Sequence, residues 1–400
     1  MRCGWSSGLL LLAAAAAAAP APRFPGARAF DGAMRALISK HGLPGGQLAV
    51  AADGRLLLSR GYGYADIERR QRVRPDSLFR IGSVSKTLTA VAILTLVDRG
   101  LLRLDDKAFR ILDHLAPASA RQPDPRFGDI TIQDLLQHAA GWDSAIVGDP
   151  LSQAWAHAEG IRIDPPAPPD GSAVIRIMLT QPLHFDPGTR IVYANLGYCV
   201  LGRVIERVTG KSYEQYVREA VLAPAGISAM RLGGTRLAER AKGEVRYYSP
   251  PGSPLSRSIY PGEPDVPAAY GGYYLKAMDA AAGWIAPARD LVRFADAVDG
   301  RSGRRLLAPQ TERAMLDTPA PRNPRPGEPA RRGLGWVVVP ESNGLEWLHD
   351  GGMRESAWAV LIRRPDGITL AAAFNSLPDT EGKFSNEAVA ALEKAAAAAR

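Results

Sequence analysis
Three short patterns in this chain bring together side chains able to do nucleophilic chemistry. Ser83 and Lys86 stand three residues apart in Ser83-Val84-Ser85-Lys86, the only S-x-x-K in the sequence. Positions three apart share one face of a helix, which brings the lysine amine within reach of the serine hydroxyl. A serine hydroxyl is a weak nucleophile until a base removes its proton. A lysine held in a dry pocket has a depressed pKa and helps that removal. A helix start beside the serine also offers a backbone N–H to a developing oxyanion. Tyr193-Ala194-Asn195 is the only Y-x-N, and His349-Asp350-Gly351, followed by Gly352, contains the only H-x-G.

Each pattern also has a plain structural use. Ser83 can cap a helix ahead of a solvated lysine, and Asn195 can cap another. Tyr193 can be a half-buried aromatic with a satisfied hydroxyl, and His349 a strand histidine beside a turn glycine. On the order of one chance S-x-x-K is expected in a chain of this size. All three elements in this order, each at the edge of a predicted helix or strand, are much harder to attribute to chance.

Other candidates fall away. Gly4-Trp5-Ser6-Ser7-Gly8 fits G-x-S-x-G but lies in the N-terminal apolar segment, not at a strand-to-helix elbow. The remaining histidines (41, 114, 138, 157 and 184) show no H-E-x-x-H or paired spacing, so no metal is expected. His138 reads as a hydrogen-bonding residue at a helix end. No Gly-rich phosphate loop occurs, and no cofactor is expected.

The elements that must position these residues follow from periodicity. Residues 27–40 place Phe30, Met34, Leu37 and Ile38 on one helical face, with Gly42 as the stop. Gln47 to Ala52 and Leu56 to Tyr62 join through Asp53-Gly54, a hairpin signal. Val84 to Gly100 is apolar nearly all round, as a central buried helix should be. A helix is predicted from Thr131 to Ala140, ending at Gly141. A second buried stripe runs from Leu196 to Val208 and ends at Gly210, and Ser212 with Gln215 predicts a capping box for the next helix. Short strands are predicted at Gly335 to Val339, Glu346 to His349, Ala357 to Arg363 and Ile368 to Phe374. Pro365-Asp366-Gly367 turns between the last two. Ser385 to Ala399 closes the chain as a helix. Residues 241–276, with six tyrosines, read either as a loop packed by its own aromatics or as a wall of the cleft. The Pro- and Arg-rich stretch 317–332 reads as a surface connection.

Strands at both ends with helices between them predict an α+β architecture. One antiparallel sheet is built from both chain ends and flanked by terminal helices, and an all-helical lobe is inserted. The expected division is an α/β lobe from 24–82 and 330–400 and a mainly helical lobe from 83–329, with the site in the cleft between them. The 400 residues, 46% hydrophobic and 22% charged, suit such a globular body. The formal charge of +8 is spread along the chain without a like-charge block, which excludes a nucleic-acid stripe. Arg2, then Leu9 to Leu12 and Ala13 to Ala19, predict a signal peptide over residues 1–21 and export to a periplasm or the medium. That run is too short to span a bilayer, and no later stretch of transmembrane length is free of charge.

The motif set resembles the serine β-lactamase and penicillin-binding-protein superfamily. Its likeness is to the branch of class C β-lactamases, D-alanyl-D-alanine carboxypeptidases, D-aminopeptidases and related esterases. Phe79-Arg-Ile-Gly-Ser-Val-Ser-Lys86, Leu135-Leu-Gln-His-Ala-Ala-Gly141, Phe185-Asp-Pro-Gly188 and Gly333-Leu-Gly-Trp336 add to it. The resemblance implies Ser83 as acylated nucleophile, Lys86 as its partner and Tyr193 as base or proton shuttle. It implies that Asn195 orients Lys86 and the substrate, and that Ser83 and Gly352 give their backbone N–H groups to the oxyanion hole. His349 takes the place of the lysine in the K-T-G strand motif. A phenol of pKa about 10 is a poor base alone, and an amine on one side with an imidazole on the other would stabilise its phenolate. Glycine at 351 and 352 lets a substrate approach the strand edge. Asp350 replaces a threonine that commonly helps hold a substrate carboxylate, and an acid there should repel anions. The expectation is a serine hydrolase acting on a small ester, amide or peptide, with a neutral or amine-bearing substrate favoured. The alternatives are a β-lactamase or D-alanyl-D-alanine carboxypeptidase, or a catalytically silent binding protein.

Overall fold
The computed structural model describes residues 24–119, 122–152, 168–317, 333–379 and 382–399. The expected signal peptide, the G-x-S-x-G match within it and nearly all of the 317–332 connection lie outside those residues. The N-terminal pattern folds as expected. Helix α1 (Ala27–His41) buries Phe30, Met34 and Leu37 and stops at Gly42, whose φ of 59° only glycine adopts without cost. Strands β1 (Gly45–Ala52) and β2 (Arg55–Asp66) meet at Asp53 and Gly54, both at positive φ, the conformation a two-residue hairpin turn needs.

Strands β3 (Gln71–Arg72), β7 (Val337–Glu341), β8 (Gly344–Met353), β9 (Ala357–Arg363) and β10 (Ile368–Phe374) complete a seven-stranded sheet ordered β3-β2-β1-β10-β9-β8-β7. Every pair is antiparallel, and the centre joins the two chain ends: Gly46 faces Phe374 and Ala52 faces Ile368. Strands β9 and β10 are buried on both faces. Trp358, Val360 and Ile362 alternate toward α1 and the closing helix Lys383–Ala397, where they meet Phe30, Met34 and Phe384. Ala359, Leu361, Ala371 and Ala373 face the opposite way, into the core shared with the helices. The small residues on that face suit close approach of helix Ala288–Val298, which lies against β1 and β10.

The helical part is built around α2 (Ser85–Asp98), whose residues Ser85 to Leu96 are all buried. Its threonines would be costly there without partners. Thr89 Oγ1 donates to the Ala280 carbonyl at 2.7 Å, and Thr95 Oγ1 to that of Ala92 at 2.7 Å. The second buried stripe is helix Asn195–Thr209, capped by Gly210 at φ 67°. Ser212 Oγ accepts from the Gln215 N–H, which supplies one half of the expected capping box.

Two features depart from the periodic reading. The helix expected over 131–140 is confined to Ile132–Leu136, because His138 turns to φ 61° and ends it early. A second sheet, β4-β6-β5, is made of β4 (Phe79–Arg80), β5 (Arg231–Leu232) and β6 (Trp284–Ala286). Strands of two or three residues carry no readable alternation.

Candidate active site
Ser83 lies in a single 3-10 turn, Gly82–Val84, directly ahead of α2. The turn is fixed from two sides. Across the small sheet, the Ile81 N–H donates to the Trp284 carbonyl at 3.1 Å and the Trp284 N–H to Ser85 Oγ at 3.2 Å. From the large sheet, Gly351 of β8 presses on the turn. A Cβ there would fall 2.3 Å from the Ile81 carbonyl oxygen and 2.5 Å from the Ser83 nitrogen, so no side chain fits.

Lys86 is fully buried on the first turn of α2. Its Nζ donates to Ser83 Oγ at 3.0 Å, to Asn195 Oδ1 at 2.7 Å and to the Ala281 carbonyl at 2.9 Å. The Tyr193 and Tyr198 rings lie 4.9 and 5.5 Å from the same Nζ. Asn195 is the first residue of its helix, and its Nδ2 donates in turn to Asp149 Oδ2 at 3.0 Å. A continuous chain of contacts therefore runs from Ser83 through Lys86 and Asn195 to Asp149.

Tyr193 is held from behind by His138. The two rings stack at 4.3 Å, and His138 Nδ1 lies 3.2 Å from both the nitrogen and the oxygen of Ala194. His138 thus grips the backbone between Tyr193 and Asn195, which accounts for the left-handed break in its helix. Nearby, the Asp143 N–H donates to His184 Nδ1 at 2.9 Å. Burial pushes the His184 imidazole below its usual pKa, which favours the neutral form able to accept that bond.

Strand β7 pairs with β8 only as far as Leu348, and beyond that pairing residues 349–353 run on past the Ser83 turn. Alternation places His349, Gly351 and Met353 toward the helices and Asp350 and Gly352 on the other face. His349 is buried, and its Nδ1–H donates to the Asp350 carbonyl at 2.5 Å. The Asp350 side chain lies on the face occupied by Leu348 and Val360 and does not line the cleft, so Asp350 is not the source of the anion repulsion argued from its type. Gly352 does line it.

The cleft over Ser83 encloses about 170 Å³. Asn195, Asp149 and Ser152 border it from the helical part, Gly352 to Arg354 from β8 and its turn, and Ser256, Gly272 and Tyr273 from the tyrosine-rich segment. That segment is also packed by its own aromatics. The Arg80 guanidinium, fully buried, lies 4.4 Å from the Tyr247 ring centre and donates to the Ala269 carbonyl at 2.6 Å and to Tyr273 Oη at 3.3 Å. Among the described residues no cluster of His, Cys, Asp or Glu could hold a metal ion. No helix among them is long and apolar enough to cross a membrane.

A sheet with helices inserted between its halves, and a Ser-Lys pair at the foot of a buried helix, define a class of protein: the chain belongs to the Beta-lactamase family, whose model matches residues 30–394. Among curated proteins it is 29% identical over 187 residues to Protein flp of Staphylococcus aureus (strain COL), a match covering 47% of this chain and 34% of that one. The match thus spans about a third of that relative's length. Among solved structures, a D-stereospecific amidohydrolase from Streptomyces sp. is 25% identical with a TM-score of 0.65, over 91% of this chain and 97% of its own. The D-amino acid amidase from Ochrobactrum anthropi SV3 superposes with a TM-score of 0.72 at 23% identity, over 94% and 99% of the two chains.

Proposed function
We propose that the protein is a serine hydrolase that cleaves an ester or amide through an acyl-enzyme on Ser83. The observation that carries this reading is the buried Lys86 amine, 3.0 Å from Ser83 Oγ and 2.7 Å from Asn195 Oδ1. Asn195 Oδ1 and the Ala281 carbonyl engage two of its N–H groups. In a neutral amine the lone pair is then left to face Ser83, so Lys86 can take the hydroxyl proton as Oγ attacks. A new Oγ–C bond forms, and the carbonyl oxygen becomes an oxyanion held by the N–H groups of Ser83 and Gly352. Collapse breaks the bond to the leaving alcohol or amine, which takes up the proton through Lys86 and Tyr193. Water then attacks the acyl group by the reverse route and restores Ser83. His349 supports the oxyanion end by fixing the edge of β8. The likeness to a D-stereospecific amidohydrolase favours amide as well as ester chemistry.

The test is a fluorophosphonate, with the modified residue located by mass spectrometry, beside turnover of p-nitrophenyl esters. Modification at Ser83 is expected. Ser83→Ala is expected to retain its circular dichroism and lose both modification and turnover. Wild-type turnover in that variant would overturn the assignment.

A further inference from the structure
Among the described residues lining the cleft, Asp149 supplies the carboxylate. It is half-buried, in the loop between the short helix Ser144–Val147 and Leu151. Both of its oxygens are aimed by neutral donors: Oδ2 accepts from Asn195 Nδ2 at 3.0 Å, and Oδ1 from the Leu151 N–H at 3.3 Å. No lysine or arginine among the described residues pairs with it. Arg354, the cation at the cleft, is exposed, so solvent and salt screen it more strongly. An oriented, half-desolvated anion one residue from the catalytic amine has charge complementarity for a cation and for little else.

From this we infer that Asp149 is the residue that sets substrate choice, by holding a protonated amine placed a few bonds from the scissile carbonyl. The inference rests on acylation at Ser83 and assigns Asp149 as the specificity-determining residue for an amine-bearing substrate, an aminoacyl ester or amide. With the carbonyl at Ser83 Oγ, the substrate's acyl part runs past Asn195 toward Asp149, where the ammonium forms a charge-assisted hydrogen bond. A carboxylate that served only to orient Asn195 would affect every substrate alike, and this difference separates the two roles.

The experiment compares alanine benzyl ester, as both enantiomers, with benzyl propionate, which lacks only the ammonium. kcat/KM is measured for wild type and for Asp149→Asn, which keeps an oxygen acceptor for Asn195 and removes the charge. The ratio of aminoacyl to desamino kcat/KM is expected to fall about 10- to 100-fold in the variant, the worth of a hydrogen bond to a charged group. An equal loss on both esters would overturn the inference and make Asp149 a positioning residue for Asn195. A wild type that hydrolyses benzyl propionate and leaves both alanine esters untouched would overturn it while leaving the acyl-enzyme intact. Absence of all turnover together with an unmodified Ser83 would instead remove the acyl-enzyme reading beneath it.

Discussion
At the scale of single residues, the site depends on how closely two backbones approach. Gly351 meets the Ser83 turn with no room for a methyl group. Gly351→Ala must push the turn off β8 or shift the edge itself. Such overpacking costs about 1–3 kcal/mol, and displacing Ser83, the proposed nucleophile, by an ångström costs about 100-fold in rate. Ester turnover and the thermal midpoint should therefore both fall. Wild-type kcat in this variant would show that the contact does not hold the nucleophile. The meeting of Ser83, Lys86 and Asn195 was legible in the sequence because S-x-x-K and Y-x-N are short spacings at helix starts. Asp149 and His138 reach the site across 46 and 56 residues. Asp149 belongs to no motif, and His138 reads as a hydrogen-bonding residue at a helix end without a named partner. The side to which Asp350 points depends on the register of β8, which the motif does not carry.

At the scale of elements, long amphipathic or apolar runs were readable and short ones were not. Strands β9 and β10 fall where their apolar runs and the Pro365-Asp366-Gly367 turn place them. The two- and three-residue strands that lock residues 79–85 to 284–286 gave no signal, since their pairing is imposed by the surrounding core. Helix Ala288–Val298 is tied to the large sheet by polar contacts that are also open to test. Thr369 Oγ1 donates to Asp296 Oδ1 at 2.5 Å, and the Arg363 guanidinium donates to Asp299 Oδ2 at 2.8 Å. Burial pushes the Asp296 carboxyl up to about 6, above its unfolded value of 3.8. A raised folded pKa means that the fold gains most from this group below pH 3.8 and loses that gain as pH rises through 6. Relative to Asp296→Asn, the wild type should lose about 2 kcal/mol between pH 4 and 7. Urea unfolding at four pH values reads the difference, and parallel pH profiles would refute the assignment.

At the scale of the whole molecule, the core of the helical part contains one thiol that reports on its opening. Cys199 is fully buried, and burial pushes its pKa up to about 12. The thiolate is the reactive form, so the native protein should protect it. Iodoacetamide modification of the Cys199 peptide, followed by mass spectrometry, should be at least about 1,000-fold slower in buffer than in denaturant. Fast modification would mean that the helices part without global unfolding. The α+β class and the inserted helices were legible because apolar periodicity survives in long segments, while the shape of the cleft was not, since it is made by loops. The middle of the large sheet also constrains how the chain is made. Strand β1 finds its inner neighbour in β10, more than three hundred residues downstream. A ribosome therefore delivers more than three hundred further residues after β1 before the central hydrogen-bond ladder can close, and this domain folds late and cooperatively rather than piecemeal. Until then β1 presents an open edge, so any partner that binds the nascent protein has the longest opportunity at this strand.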